Sequence, residues 1–166
     1  MAAGATYEPI ATQTLASAAS SITFSSIASS WTDLRLVLVG TNSSTGRTQL
    51  TFNGVTSTVY SITYLYGNGS AAGSSSNSGF AYIHVAPVAI STTIPAMLTI
   101  DVFSYAGSTY KTCLITAEQD NNGSGFVTNT VGLYGQTTAI TSMALTQASG
   151  NFAIGTTATL YGIKAA

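Results

Sequence analysis

The chain has 166 residues, the length of one domain, and only 5% of them are charged, where ordinary globular proteins carry about a quarter. Four cations against five acids give a net charge of −1. The cations, Arg35, Arg47, Lys111 and Lys164, are scattered and form no phosphate-tracking stripe, which excludes electrostatic nucleic-acid binding. No run approaches the ~18 consecutive apolar residues of a spanning helix, which excludes membrane insertion by that route. Disorder fits poorly as well, because β-branched and aromatic residues recur at regular intervals. The composition implies a folded protein whose exposed face is built from Ser, Thr, Asn and Gly.

In chain order, residues 1–9 read as an N-terminal arm ending at Pro9, with residues 10–166 as a single domain. The arm has neither a basic start nor an apolar core segment, so no signal peptide is expected. Ile10–Leu15 and Ser21–Phe24 are short strand candidates. Trp31 to Gly40 is the stretch around which the rest is organised. Leu34, Leu36 and Leu38 alternate with Arg35, Val37 and Val39, the two-residue period of a strand. Both sets are largely apolar, so the strand is expected to be covered on both faces for most of its length. Trp31, the sole tryptophan, is placed to close one end of the core.

Thr48–Phe52 is the next strand, and Asn53-Gly54 after it is a strong hairpin signal, since both central residues of a type I′ turn need positive φ. Val59–Tyr66 carries Tyr60, Ile62, Tyr64 and Tyr66 on one face. Gly67–Gly79, GNGSAAGSSSNSG, reads as a low-complexity flexible loop, either a recognition loop or a spacer. Phe80–Val85 resumes strand pattern until Pro87. Met97–Tyr105, Tyr110–Ala117, Phe126–Tyr134, Ala139–Leu145 and Thr157–Ile163 follow, separated by turns. About ten short strands without a helical period predict an all-β antiparallel sandwich of jelly-roll type with almost no helix. The expected core includes Leu34, Leu36, Leu38, Phe52, Ile100, Val102, Leu114, Val131, Leu133 and Leu160. Irregular strand spacing argues against a solenoid.

Residues suited to carrying chemistry are few. His84 is the only histidine, and a catalytic role would require the fold to bring it a partner such as Asp101 and one of many serines. No Gly-x-Ser-x-Gly elbow singles out a nucleophile, so a half-buried strand histidine is the better reading. Glu118, Asp120, Asn121 and Asn122 gather oxygen ligands beside Gly123, but the alternation and closing Glu of a calcium loop are missing. The five acids include no pair held in an aromatic-rich loop, as a glycosidase would need. Cys113, the single cysteine, excludes an internal disulfide and lies among apolar neighbours as a core thiol. No catalytic, metal or cofactor residues are therefore assigned. Tyr60, Tyr64 and Tyr66 either form a candidate partner-contact surface, for a sugar or a second subunit, or line the core with their hydroxyls at its edge.

Several stretches together carry a resemblance: YEPIATQTL at 7–15, TFSSI at 23–27, SWTDLRLVL at 30–38 and LTFNG at 50–54. LYGNGS at 65–70, YKTCLI at 110–115, VGLYGQTTAITSMAL at 131–145 and SGNFAIGTTATLYGIK at 149–164 extend it over nearly the whole chain. The sequence resembles a family of β-rich structural proteins of tailed bacteriophages. The resemblance implies a virion component without enzymatic residues, assembled in the host cytoplasm. It leaves two roles. One is a capsid decoration (cement) protein bound to the major capsid protein. The other is a tail-fibre tip that binds a host glycan or receptor. A compact unit without coiled coil or fibre shaft favours decoration. Too few charges and prolines to guard every sheet edge imply a homo-oligomer, and the threefold positions of a capsid suggest a trimer.

Overall fold

A computed structural model describes residues 6–85 and 89–164. Pro87 and residues 1–5 of the expected arm lie outside the described residues. Twelve strands and no helix occur among the described residues: β1 (Tyr7–Thr14), β2 (Ser21–Phe24), β3 (Asp33–Gly40), β4 (Thr48–Phe52), β5 (Tyr60–Gly67), β6 (Ala72–Phe80), β7 (Ile83–His84), β8 (Ala96–Phe103), β9 (Lys111–Gln119), β10 (Phe126–Tyr134), β11 (Met143–Gln147) and β12 (Thr157–Ile163).

The strands form an eight-stranded sheet, β1-β12-β3-β8-β9-β10-β5-β6, and a four-stranded sheet, β2-β11-β4-β7. All pairings are antiparallel, with β1 on β12, β2 on β11, β3 on β8 and β4 on β7. The chain is therefore one long antiparallel ribbon. Its outgoing leg is β1 to β4 and its return leg is β7, β8, β11 and β12. Successive segments of each leg alternate between the sheets, so β1-β12-β3-β8 opposes β2-β11-β4-β7, the winding of a jelly roll. The hairpin β5-β6 sits at the ribbon's tip, and β9 with β10 interrupts the return leg. These four strands widen only the first sheet, leaving part of it without an opposing strand.

Alternation sets the core. The inward residues of β3, Leu34, Leu36 and Leu38, are fully buried between the sheets, together with Leu50 and Phe52 of β4 and Ile83 of β7. Trp31 closes one end as expected, its ring so near Gly162 that a Cβ there would lie 2.1 Å from it. The Lys164 ammonium sits 4.7 Å from the Trp31 ring centroid, a cation–π contact. Lys111, buried beside the turn before β9, is held by the carbonyls of Gly107 at 2.7 Å, Thr109 at 2.5 Å and Thr137 at 3.3 Å.

Several sequence expectations need correction. Tyr7 to Pro9 belong to β1 rather than to an arm, because they pair with Tyr161 to Ile163 of β12. Asn53 and Gly54 do have positive φ, 53° and 65°, yet they close no hairpin. β4 and β5 lie in different sheets, and the turn instead carries the chain between them. Asn53 anchors it by accepting the Thr141 and Ser142 amides on Oδ1, at 2.8 and 3.1 Å. The Gly67–Gly79 segment is largely strand β6, paired with β5 from Gly67↔Ala72 to Tyr60↔Phe80. Its composition resists strand formation, but a partner already held in place by β10 supplies the ladder.

The face assignment also fails in β9 and β10. Leu114, Val131 and Leu133, expected in the core, point outward, and Val131 is 47% exposed. The inward positions are Cys113 and Ile115 on β9, and Phe126, Thr128, Thr130, Gly132 and Tyr134 on β10. The outer face of β3 is covered only in part: Arg35 and Val37 are half-buried, and among the described residues nothing covers Val39, 46% exposed.

Candidate functional site

The inner face of the large sheet changes character along its cross-strand rows. One row runs Leu160, Leu36, Ile100, Ile115, then Thr130, Tyr64 and Ser75. The first four are buried against the small sheet, whereas Tyr64 and Ser75 are half-exposed. A parallel row runs from Ala158, Leu38, Leu98 and Ala117 to Thr128, Tyr66 and Gly73. Hydroxyls thus replace aliphatics where the small sheet stops. In the next inward row, beside Thr130, Gly132 lets the sheets meet closely, since a Cβ there would lie 2.8 Å from both Cys113 Sγ and Ile83 Cδ1. Beyond that pinch the sheets part.

The opening holds a cavity of about 170 Å³ lined by Arg47, Ile62, Tyr64, Asn77, Phe80, His84 and Thr130. The large sheet supplies Ile62 and Tyr64 from β5, Asn77 and Phe80 from β6, and Thr130 from β10. The small sheet supplies His84 from β7 and Arg47 from just before β4. Phe80 meets the His84 ring edge-on at 5.3 Å, and Tyr82 does so at 4.9 Å, fixing the imidazole between two aromatics. Burial lowers the His84 pKa below 6.5, and the neighbouring Arg47 charge lowers it further, so the ring is neutral at pH 7.

Two buried polar atoms of this lining have no partner among the described residues, His84 Nδ1 and Thr130 Oγ1. Leaving such a group unsatisfied costs about 1–3 kcal/mol, so a fold that keeps two of them in one cavity lining invites a filling group. Thr128, by contrast, donates to the Ala117 carbonyl at 3.2 Å. Arg47 makes no ion pair among the described residues, and none of the five acids lines the cavity. The cavity is accordingly electropositive.

The tyrosine stripe divides. Tyr60 is buried rather than on a contact surface. Its hydroxyl donates to the Val55 carbonyl at 2.9 Å and accepts from the Phe52 amide at 3.0 Å, and burial pushes its pKa up to about 12. It stacks on Tyr134 at 5.1 Å, deep in the core. Tyr64 lines the cavity, and Tyr66 lies 6.2 Å from it, over Gly73. The sequence placed these tyrosines on one face correctly, but it missed Arg47, Asn77 and Thr130, which come from separate segments of the chain. The one signal available for them was the break in the aliphatic pattern at Thr128 and Thr130.

His84 and Asp101 are not brought together. Asp101 lies on the outer face of β8, bound to Arg35 through Nε at 2.5 Å and Nη2 at 2.8 Å. Asp120 accepts the Gly123 amide at 2.7 Å in a tight turn, and no metal-binding group of His, Cys, Asp or Glu occurs among the described residues. Cys113 is buried, its Sγ 3.6 Å from the Gly132 carbonyl, and burial pushes the thiol up to about 12.

No protein-family model matches the chain, and no curated protein sequence matches it. Among solved structures it aligns with the crystal structure of the galectin LEC-6 of Caenorhabditis elegans at 12% identity and a TM-score of 0.38. The alignment covers 96% of this chain and 94% of that one.

Proposed function

We propose that the chain is a structural, non-enzymatic component of a tailed-bacteriophage virion, a capsid decoration protein that docks on the major capsid protein and stabilises the shell. The observation that carries this reading is the outer face of the large sheet. Of nine large apolar side chains exposed among the described residues, seven lie there: Tyr7, Val39, Leu65, Met97, Phe103, Val127 and Val131. They fall in cross-strand rows such as Val39, Met97, Glu118 and Val127. The apolar outer residues of β3 are thus half of a contact that the described residues do not complete,. Arg35 and Asp101 neutralise each other on this face, which suits docking by packing and hydrogen bonding with only mild salt dependence. The resemblance to tailed-phage structural proteins supplies the partner.

Self-association, in a trimer, uses a different surface. Three of the four sheet edges are guarded or short. β1 carries Glu8 and the irregularity at Pro9, β2 has four residues and β7 two. The fourth, β6, offers nine residues with no charge and no proline, an open template for pairing. The electropositive cavity favours a second reading, a tail-fibre tip that binds host glycan. Co-sedimentation with purified capsid shells tests the first, using Leu65→Asp and Val127→Asp. Both residues are more than 60% exposed, so the variants should fold and bind shells at least tenfold more weakly. Wild-type failure to bind shells, with labelling of virions confined to tail tips, would replace decoration by the second reading.

A further inference from the structure

We infer that the cavity between the overhanging strands and β7 is a binding site for a carboxylated sugar unit. This goes beyond virion docking and does not depend on it, because the site lies on the inner side of the large sheet. The lining matches each part of such a ligand. Arg47 is the only charged residue there, unpaired among the described residues and free to take a carboxylate in two parallel hydrogen bonds. Phe80 and Tyr64 offer aromatic surface to the C–H face of a sugar ring. Asn77 brings both an amide donor and a carbonyl acceptor for hydroxyls.

Thr130 supplies the second, independent observation. It is 1% exposed and lines the cavity, yet its hydroxyl has no partner among the described residues, and the same holds for His84 Nδ1. A neutral His84 offers one donor and one acceptor, which complements a sugar hydroxyl. The cavity is small, about 170 Å³, so it takes a single sugar unit, with the rest of any longer chain outside. An inorganic anion would satisfy Arg47 but leave the aromatic walls unused, and a neutral sugar would leave Arg47 unused.

The test is NMR titration of the wild-type protein with D-glucuronate, D-glucose, acetate and inorganic phosphate, following the His84 imidazole and the Asn77 side-chain amide. Saturable shifts with glucuronate, at least tenfold tighter than with any of the other three, are expected. Arg47→Ala, at an exposed position, should weaken glucuronate at least tenfold. Thr130→Val should raise the melting temperature by removing the orphan hydroxyl while weakening glucuronate severalfold. Equal binding of acetate or phosphate would reduce the site to an anion hole and overturn the proposal, as would equal binding of glucose. No saturable shift with glucuronate, or an unaffected Arg47→Ala protein, would overturn it too.

Discussion

The register of the large sheet can be tested by removing one methyl-bearing side chain from each of its faces. Leu36 is fully buried, flanked across the ladder by Leu160 and Ile100 and facing the small sheet. Truncation to Ala loses three buried carbons and leaves a cavity that a close-packed core fills only in part, a cost of about 3–5 kcal/mol. For a domain of this size, about 2–4 °C of melting temperature is lost per kcal/mol, so Leu36→Ala should melt about 6–20 °C below wild type. Val131 lies between Leu114 and Thr63 on the outer face and is 47% exposed. Val131→Ala removes surface already wet in the monomer, a cost below about 1 kcal/mol. Thermal unfolding by circular dichroism on dilute monomer measures both. If the two variants melted together, or Val131→Ala fell further, the inward and outward faces of β10 would be reversed and the site built on Thr130 would be lost.

Two titrating groups give further tests. Cys113 is buried with its thiol pushed up to about 12, so the native protein should resist iodoacetamide at pH 8 and label fully in denaturant. Stoichiometric labelling within minutes under native conditions would contradict its placement. His84 has a folded pKa below its unfolded value of 6.5, so above that pH both states are neutral and it contributes no pH dependence. As pH falls through 6.5 the unfolded chain takes the proton first. Stability is therefore lost between the unfolded value and the lowered folded value, and the loss is complete below the latter. Relative to His84→Gln, the wild type should lose stability on acidification below about pH 7, measured by urea unfolding. Parallel pH profiles for the two proteins would remove His84 from its half-buried position.

The fold class was legible in the sequence because it rests on local physics. Alternation in Leu34 to Val39, turn residues at Asn53-Gly54 and the absence of a helical period specify strands and their breaks without reference to partners. The bounds of β2, β4, β10 and β12 coincide with those read from the pattern. Face and partnership were not legible. Where both faces of a strand carry apolar residues, as in β3 and β10, a one-residue choice of register decides which set is buried, and only the opposing sheet makes that choice. The tertiary structure placed Thr130 inward and Val131 outward, the reverse of what their hydropathy suggests. It also made a strand of the serine-rich segment 72–80, since ladder bonds to β5 outweigh a poor intrinsic preference,. The cavity belongs wholly to that level. Arg47, the stretch from Asn77 to His84, and Thr130 are far apart in sequence, and they converge because the large sheet outgrows the small one and the sheets part beyond Gly132.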